Sequence, residues 1–187
     1  MKILVTGAGG MIGRKLVERL VADKTLGGKP ITGLTLVDVG ESPIPAGAPK
    51  DTKPIVTDFS EPGVSTTLIA ERPDVIFHLA AIVSGDAEAN FEKGYKINFN
   101  GSWSLFEAIR LEGQKSPYKP RFVFASTLAV IGPPFPDSVP DEHAPTPSTS
   151  YGTQKAMTEL MLADYSRKGF LDGVGVRLPT ICIRPGK

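Results

Sequence analysis

The sequence predicts an α/β protein built on one doubly wound parallel sheet with helices on both faces. Three observations support this fold class. Apolar, strand-like segments alternate with segments of helical periodicity along the 187 residues. The first strand runs into a glycine-rich turn at residues 7–13, which opens directly onto a helix. The second strand ends at Val37 and is followed at once by a carboxylate, Asp38.

The hydrophobic pattern predicts each element in turn. A loop rich in Pro and Gly is expected at residues 40–49, and a second at 132–147, which either forms the rim of an active site or is a surface connector. Strands are expected at Lys2–Thr6, Gly33–Val37, Lys53–Thr57, Asp74–Leu79, Arg121–Ala125 and Gly173–Arg177. Helices are expected at Met11–Ala22, Val64–Glu71, around Asn90–Leu111 and at Thr153–Lys168.

Composition narrows the classes of function. A hydrophobic content of 41% over 187 residues is enough for the core of one domain. The net charge is +1 with dispersed basic residues, so neither a nucleic acid nor an anionic membrane is an expected partner. No apolar run approaches the ~20 residues of a membrane span. The single Cys182 and two distant histidines predict no disulfide and no metal site, and a cytoplasmic protein is expected.

The glycine turn has the spacing of a dinucleotide-binding site. Gly7 suits the tight turn, Gly10 allows the backbone to approach a pyrophosphate, and Gly13 allows close packing of the helix on the strand. Asp38 can accept hydrogen bonds from a ribose and would repel a 2′-phosphate, which favours NAD over NADP. The plainer alternatives are a β–α loop with spare glycines and an acidic residue that only marks a turn.

Tyr151 and Lys155 are the candidate catalytic pair. Residues four apart lie on one helix face, so the Lys155 ammonium can approach the Tyr151 phenol and lower its pKa toward neutrality. The hydroxyls of Ser126 and Thr127 precede them in the sequence. The Tyr-x-x-x-Lys spacing is common by chance, and its value here depends on the nucleotide turn found in the same chain.

Several motifs in a fixed order resemble one family. They are TGAGGMIG at 6–13, Asp38, the Asp58 of VTDFS, HLAA at 78–81, Asn98, the hydroxyl pair of FAST, and Tyr151 with Lys155. This set resembles the extended short-chain dehydrogenase/reductases, which include NAD-dependent sugar epimerases and dehydratases. The resemblance implies that residues 1–187 form one Rossmann-type NAD-binding domain that carries the Tyr–Lys pair. It also implies a homodimer formed through the long helix and the Tyr–Lys helix.

The resemblance further implies individual roles. Tyr151 would be the base, Lys155 would bind the nicotinamide ribose, and Asn98 would support the site and its proton pathway. Counting back five residues from Gly132 selects Thr127 as the catalytic hydroxyl, with Ser126 as an outer contact. The expected cofactor-binding residues are Gly7, Gly10, Met11, Ile12, Gly13, Asp38, Asp58, Phe59, Leu79, Ala80, Ala81, Asn98, Tyr151, Lys155 and Pro179.

Three segments resemble the D-erythronate dehydrogenase branch of the family, whose members oxidise a four-carbon sugar acid. They are HLAAIVSG, TPSTSYGTQKAMTELMLADYSRKGF and VGVRLPTICIRPGK. Sugar-nucleotide enzymes usually carry Asn in the Arg-Leu-x-Asn segment, where this chain has Arg177-Leu178-Pro179-Thr180, and Tyr in Val-Tyr-Gly, where it has Ile131. The expected substrate-binding residues are Ser84, Thr127, Tyr151, Thr180 and Arg184.

Alternatives remain for several of these assignments. The alternative for Ser84 is a place in a turn and helix cap, and the alternative for Arg184 is a solvated charge. His78 is expected to be a buried structural group and not a catalyst. The family's smaller C-terminal substrate domain is expected to be absent from this chain. A nucleoside-diphosphate-sugar epimerase or dehydratase and a non-catalytic NAD sensor are the competing functions, and the intact Tyr151–Lys155 pair argues against the sensor.

Overall fold

The computed structural model describes residues 1–179, and a parallel six-stranded sheet forms its centre. The strands are β1 (Lys2–Thr6), β2 (Gly33–Asp38), β3 (Lys53–Val56), β4 (Val75–His78), β5 (Arg121–Thr127) and β6 (Asp172–Leu178). The sheet order is β3-β2-β1-β4-β5-β6, with every neighbouring pair parallel. The chain therefore moves outward from β1 to β3 and then crosses to the other side of β1, as expected for the doubly wound sheet that was predicted.

Helices connect the strands, and a small antiparallel hairpin, Thr25–Leu26 with Lys29–Pro30, precedes β2. The long helix contains a π-helical stretch, Tyr95–Gly101, in its middle. A short 3₁₀ turn, Leu128–Val130, follows β5. The α-helices are α1 (Met11–Asp23), α2 (Val64–Ala70), α3 (Ser84–Ala89), α4 (Phe91–Gly94), α5 (Ser102–Lys115) and α6 (Ser150–Arg167).

Hydrophobic cores lie on both faces of the sheet. Because side chains alternate along a strand, Ile3 and Val5 face one core while Leu4 faces the other. The first core receives Val17 and Leu20 from α1. The second contains Phe106 of α5, among other residues. A parallel sheet covered on both faces explains why its strands are apolar at nearly every position.

Two boundaries differ from the predicted ones in ways that matter for the site. The helix α6 begins at Ser150 and not at Thr153, because the Thr149 Oγ1 accepts a hydrogen bond of 3.0 Å from the Gly152 N–H. Tyr151 therefore lies in the first helical turn. The strand β5 continues to Thr127, so both candidate hydroxyls belong to the sheet.

The helix α3 was not predicted. Its sequence, SGDAEA, is short and mostly polar, so it lacks the apolar periodicity that identifies a longer helix. Ser84 is its first residue, the cap position belongs to Val83, and no side chain caps this helix. The interpretation of Ser84 as a helix cap is therefore wrong.

Candidate active site

A cavity of about 890 Å³ opens at the carboxyl ends of β1, β4 and β5. This volume lies within the range of small-molecule sites, and the cavity lies where the strand order reverses, the usual binding position in doubly wound sheets. Most of the predicted site residues line it together: Gly7, Gly10, Met11, Ile12, Gly13, Leu79, Ala81, Ser84, Ser126, Thr127, Tyr151, Lys155 and Pro179. The structure thus brings residues from both ends of the chain to one cavity.

The glycine turn is packed backbone against backbone. Gly7 has a φ of +76°, and a Cβ there would lie 2.6 Å from the Ala80 nitrogen. A Cβ at Gly13 would lie 2.1 Å from the Gly7 carbonyl oxygen. Both positions therefore require glycine. The N-terminus of α1 has no side-chain cap at Gly10, so the first N–H groups of this helix can serve an anionic ligand in the cavity.

Asp38 lies against this turn. Its Oδ2 accepts a hydrogen bond of 2.9 Å from the Gly9 N–H, and its Oδ1 accepts one of 3.2 Å from the Gly40 N–H. A carboxylate has about four acceptor positions, so capacity remains for ribose hydroxyls. Asp38 therefore orients the turn and can still bind a ligand.

Other predicted cofactor residues do not line the cavity. The Asp58 Oδ1 accepts hydrogen bonds from the N–H and the hydroxyl of Ser60. The buried Phe59 ring packs edge-on against His78, with centroids 5.0 Å apart. The expectation that Phe59 binds the cofactor can thus apply only to its main chain, because the side chain belongs to the core. Thr180 and Arg184 lie outside the described residues.

Lys155 is a buried ammonium group. Its side chain is 2% exposed, and its Nζ donates a hydrogen bond of 2.9 Å to the Ala125 carbonyl oxygen. The same nitrogen lies 4.7 Å from the centroid of the Phe124 ring, a cation–π contact. Desolvation lowers the pKa of Lys155 to about 8. The Ala125 carbonyl and the face of the Phe124 ring therefore help to hold the charge at the end of β5.

The Tyr151 phenol does not have the lowered pKa that was expected. Burial raises its pKa above the usual value. The Lys155 Nζ lies 5.7 Å from the centroid of the Tyr151 ring. Desolvation of the phenol causes this rise, so the expected lowering of the Tyr151 pKa is wrong for this structure.

The two candidate hydroxyls have different partners. The Ser126 Oγ donates a hydrogen bond to the Glu159 Oε1, and Glu159 forms an ion pair of 2.8 Å with Arg177. The Thr127 Oγ1 instead accepts a hydrogen bond of 3.1 Å from the Ala129 N–H. That bond does not use the hydroxyl proton, so Thr127 keeps a donor for a ligand whereas the proton of Ser126 is already committed.

His78 forms a directed hydrogen-bond chain beneath the site. Its Nδ1 is 2.7 Å from the Thr6 Oγ1, and its Nε2 is 2.9 Å from the Ser102 Oγ. Ser102 donates its only proton to the Asn98 carbonyl oxygen, so it accepts from Nε2–H, and Nδ1 accepts from Thr6. Burial first, and then the charge of Lys155, lower the pKa of His78 to about 3. His78 is the buried structural group that was predicted.

Sequence reasoning missed several residues of the site. The cavity wall includes the apolar side chains of Val83, Leu128 and Phe135, and Phe135 confirms that the second proline-rich loop reaches the rim. The buried Gln154 was also missed. Its position next to Lys155 was the only signal in the sequence, because its partner is 56 residues away.

Comparison with known proteins agrees with this geometry. A sequence profile of the NAD dependent epimerase/dehydratase family matches residues 3–182. The chain belongs to this family. The prediction of NAD as the cofactor is confirmed at the level of the family, whose description names it.

Individual relatives are similar over the whole chain. D-erythronate dehydrogenases from Haemophilus influenzae and Cupriavidus necator are 44% and 43% identical to it, over all of this chain and 57% of each relative. A crystal structure described as the nucleoside-diphosphate-sugar epimerase from Agrobacterium tumefaciens matches with a TM-score of 0.96 and 57% identity, over all of this chain and 55% of that one. The chain thus spans little more than half the length of these relatives.

Within residues 1–179, no helix is both long and apolar enough to cross a bilayer.

The environment of His78 predicts a loss of stability in mild acid. Its folded pKa of about 3 is below the unfolded value of ~6.5, so its contribution is complete above pH ~6.5 and is lost as the pH falls toward 3. Between pH 7 and pH 5, this group should lower the free energy of unfolding by about 2 kcal/mol. Urea denaturation at the two pH values measures the effect.

A non-titrating variant isolates that contribution. His78→Gln should remove about 2 kcal/mol of the difference between pH 7 and pH 5. His143→Gln, at the other histidine of the chain, is the matched control. An equal pH dependence in His78→Gln and in the unaltered protein would show that His78 is not the group that titrates.

Proposed function

We propose that this chain is the NAD-binding and catalytic part of a dehydrogenase that oxidises a secondary alcohol of a small sugar acid, with D-erythronate as the first candidate. The observation that carries the proposal is the convergence of Tyr151, Lys155 and Thr127 on the cavity that the glycine turn also lines. The similarity to two D-erythronate dehydrogenases over the full length of this chain supports the substrate class.

Each of the three side chains has a role that its environment allows. Tyr151 accepts the proton of the substrate hydroxyl, and Thr127 donates a hydrogen bond to the same oxygen. Lys155 stabilises the phenolate by its charge and orients the nicotinamide ribose. NAD, when bound, supplies the hydride acceptor and a positive charge that favours the phenolate. Because burial raises the pKa of Tyr151, the charges of Lys155 and of bound NAD would together have to offset this desolvation for the phenol to act as a base.

The choice of NAD over NADP rests on Asp38. Its carboxylate faces the glycine turn and would repel a 2′-phosphate on the adenosine ribose. The residues that follow, Val39 to Glu41, include no arginine to bind such a phosphate. Leu79 and Ala81, which line the cavity after β4, would contact the rest of the cofactor.

A homodimer formed through α5 and α6 remains part of the proposal. Trp103 of α5 is 49% exposed and Leu160 of α6 is 64% exposed. Large apolar side chains on both helices are consistent with a surface that a second subunit covers. The exposure of Trp103 excludes a place for it in the core. The cytoplasmic location stays a prediction from the sequence.

A nucleoside-diphosphate-sugar epimerase is the second candidate. The similar Agrobacterium structure carries that description. Two features of this chain argue against it: Ile131, which lines the cavity in place of the usual tyrosine, and Pro179-Thr180 in place of the segment that ends in asparagine. Isoleucine lacks the hydroxyl of tyrosine and threonine lacks the amide of asparagine, so neither residue reproduces the usual side chain.

Net reduction of NAD distinguishes the two candidates. With the whole protein and NAD, we expect D-erythronate to produce a growing NADH absorbance, because a dehydrogenase releases the reduced cofactor. A panel of other sugar acids, hydroxy acids and UDP-sugars is assayed in parallel. Turnover of a UDP-sugar without net NADH would instead establish the epimerase.

The variant Tyr151→Phe tests the base. It should lower kcat by about 10²–10⁴-fold, the usual contribution of a general base, while the Kd for NAD changes little. Tyr95→Phe is the matched control, because Tyr95 packs against Phe91 and Phe99, away from the cavity. Activity of Tyr151→Phe within a few-fold of the unaltered enzyme would exclude Tyr151 as the base.

The variants of the two hydroxyls test which one assists catalysis. Thr127→Val should lower kcat by about 10²-fold, and Thr127→Ser should restore most of it, because serine keeps both the donor and the acceptor. Ser126→Ala should have a smaller effect, since Arg177 still holds Glu159. The reverse order of effects in steady-state kinetics would assign the catalytic role to Ser126.

A further inference from the structure

Gln154 is a buried amide on the helix that carries the Tyr–Lys pair. Its side chain is 0% exposed, and its Oε1 accepts a hydrogen bond of 2.8 Å from the Asn98 Nδ2. Its Nε2 has no hydrogen-bond partner among residues 1–179. That nitrogen lies against Gly94, where a Cβ would approach it to 2.6 Å. The oxygen is therefore the polar atom through which Gln154 acts.

Asn98 carries this contact to the cavity wall. Its Oδ1 accepts a hydrogen bond of 2.9 Å from the Ile82 N–H, and its Nδ2 donates one of 3.3 Å to the Ile82 carbonyl oxygen. A single amide thus holds both backbone groups of Ile82. The segment 82–85, which begins at this residue, lines the cavity that Tyr151 also lines.

The backbone of Ile82 determines the direction of the hydrogen bonds that run from Ile82 through Asn98 to Gln154. Because the Ile82 N–H requires an acceptor, the Asn98 Oδ1 faces Ile82 and the Nδ2 is left to face α6. Position 154 must therefore present an acceptor. A glutamine oxygen meets this requirement, and so does a protonated glutamate. A methionine of similar length offers only a weakly accepting thioether sulfur.

We propose that Gln154 is a positioning residue that holds the segment 82–85 in place for substrate binding by way of Asn98. One helix then carries Tyr151 and, three residues later, the group that fixes a wall of the same cavity. This inference rests on the proposed dehydrogenase function for its kinetic test. The hydrogen bond between Gln154 and Asn98 does not depend on the substrate, so hydrogen exchange can test it without turnover.

The kinetic test compares Gln154→Met with the unaltered whole enzyme. Loss of one hydrogen bond to the wall segment should raise the KM for D-erythronate about tenfold, equivalent to ~1.4 kcal/mol, while kcat stays within about threefold. The Kd for NAD should not change. Gln154→Glu, which keeps the acceptor, should restore the KM. Gln114→Met, at an exposed position on α5, is the control for the substitution itself.

A double-mutant cycle with Asn98→Ala tests the route of the coupling. Alanine removes both polar groups of the Asn98 side chain, so neither orientation of the Gln154 amide keeps the contact. If the two residues act through one contact, Gln154→Met should change the KM little further in the Asn98→Ala protein. Fully additive effects of the two substitutions would overturn the proposed route.

Hydrogen exchange provides the measurement that needs no substrate. In the NAD-loaded whole protein, Gln154→Met should accelerate amide exchange in the peptide that spans residues 79–86, and Gln154→Glu should not. If the unaltered protein does not turn over D-erythronate, that result counts against the proposed function. The exchange measurement then tests the positioning role of Gln154 by itself. Unchanged exchange in Gln154→Met, or a fall in kcat with a shifted pH profile at constant KM, would overturn it.

Discussion

The site depends on backbone contacts that only glycine permits at the start of α1. Gly7 adopts a positive φ and lies against the backbone of Ala80, while Gly13 lies against the carbonyl of Gly7. These contacts bring β1, α1 and the end of β4 to one point at the switch in strand order. A side chain at either position would separate these elements. The N-terminus of α1, which can bind an anionic ligand, would then no longer line the cavity.

The helix α6 is pressed just as closely against the other side of the cavity. A Cβ at Gly152 would lie 2.1 Å from the Ala129 carbonyl oxygen, so the first turn of α6 packs directly on the turn that follows β5. This approach brings Tyr151 toward Thr127 and buries Lys155 against Ala125. The cost of burying the ammonium is visible in its lowered pKa, and the desolvation that lowers it also raises the pKa of Tyr151.

The sequence was sufficient to predict the six strands, the parallel doubly wound sheet and most of the cavity residues, because the strand periodicity and the glycine spacing are local signals. It was not sufficient for the partners of the hydroxyls. Ser126 and Thr127 are adjacent, and the contact that commits the Ser126 proton is with Glu159, 33 residues away in the sequence. The pKa of Tyr151 was misjudged for a related reason: helical spacing predicts proximity to Lys155, whereas desolvation depends on the whole packed environment.

Asn98 shows how one residue can join both halves of such a site before any ligand binds. Its carbonyl oxygen receives the hydrogen-bond chain that runs from Thr6 through His78 and Ser102, while its side chain holds Ile82 and Gln154. It lies in a π-helical stretch, a local distortion that is often found at functional sites. Strand β1, the end of β4 and helix α6 are therefore connected through one residue, by its main-chain carbonyl and its side-chain amide. Displacing any one of them would leave a buried polar group without its partner, and this penalty keeps the site in one geometry.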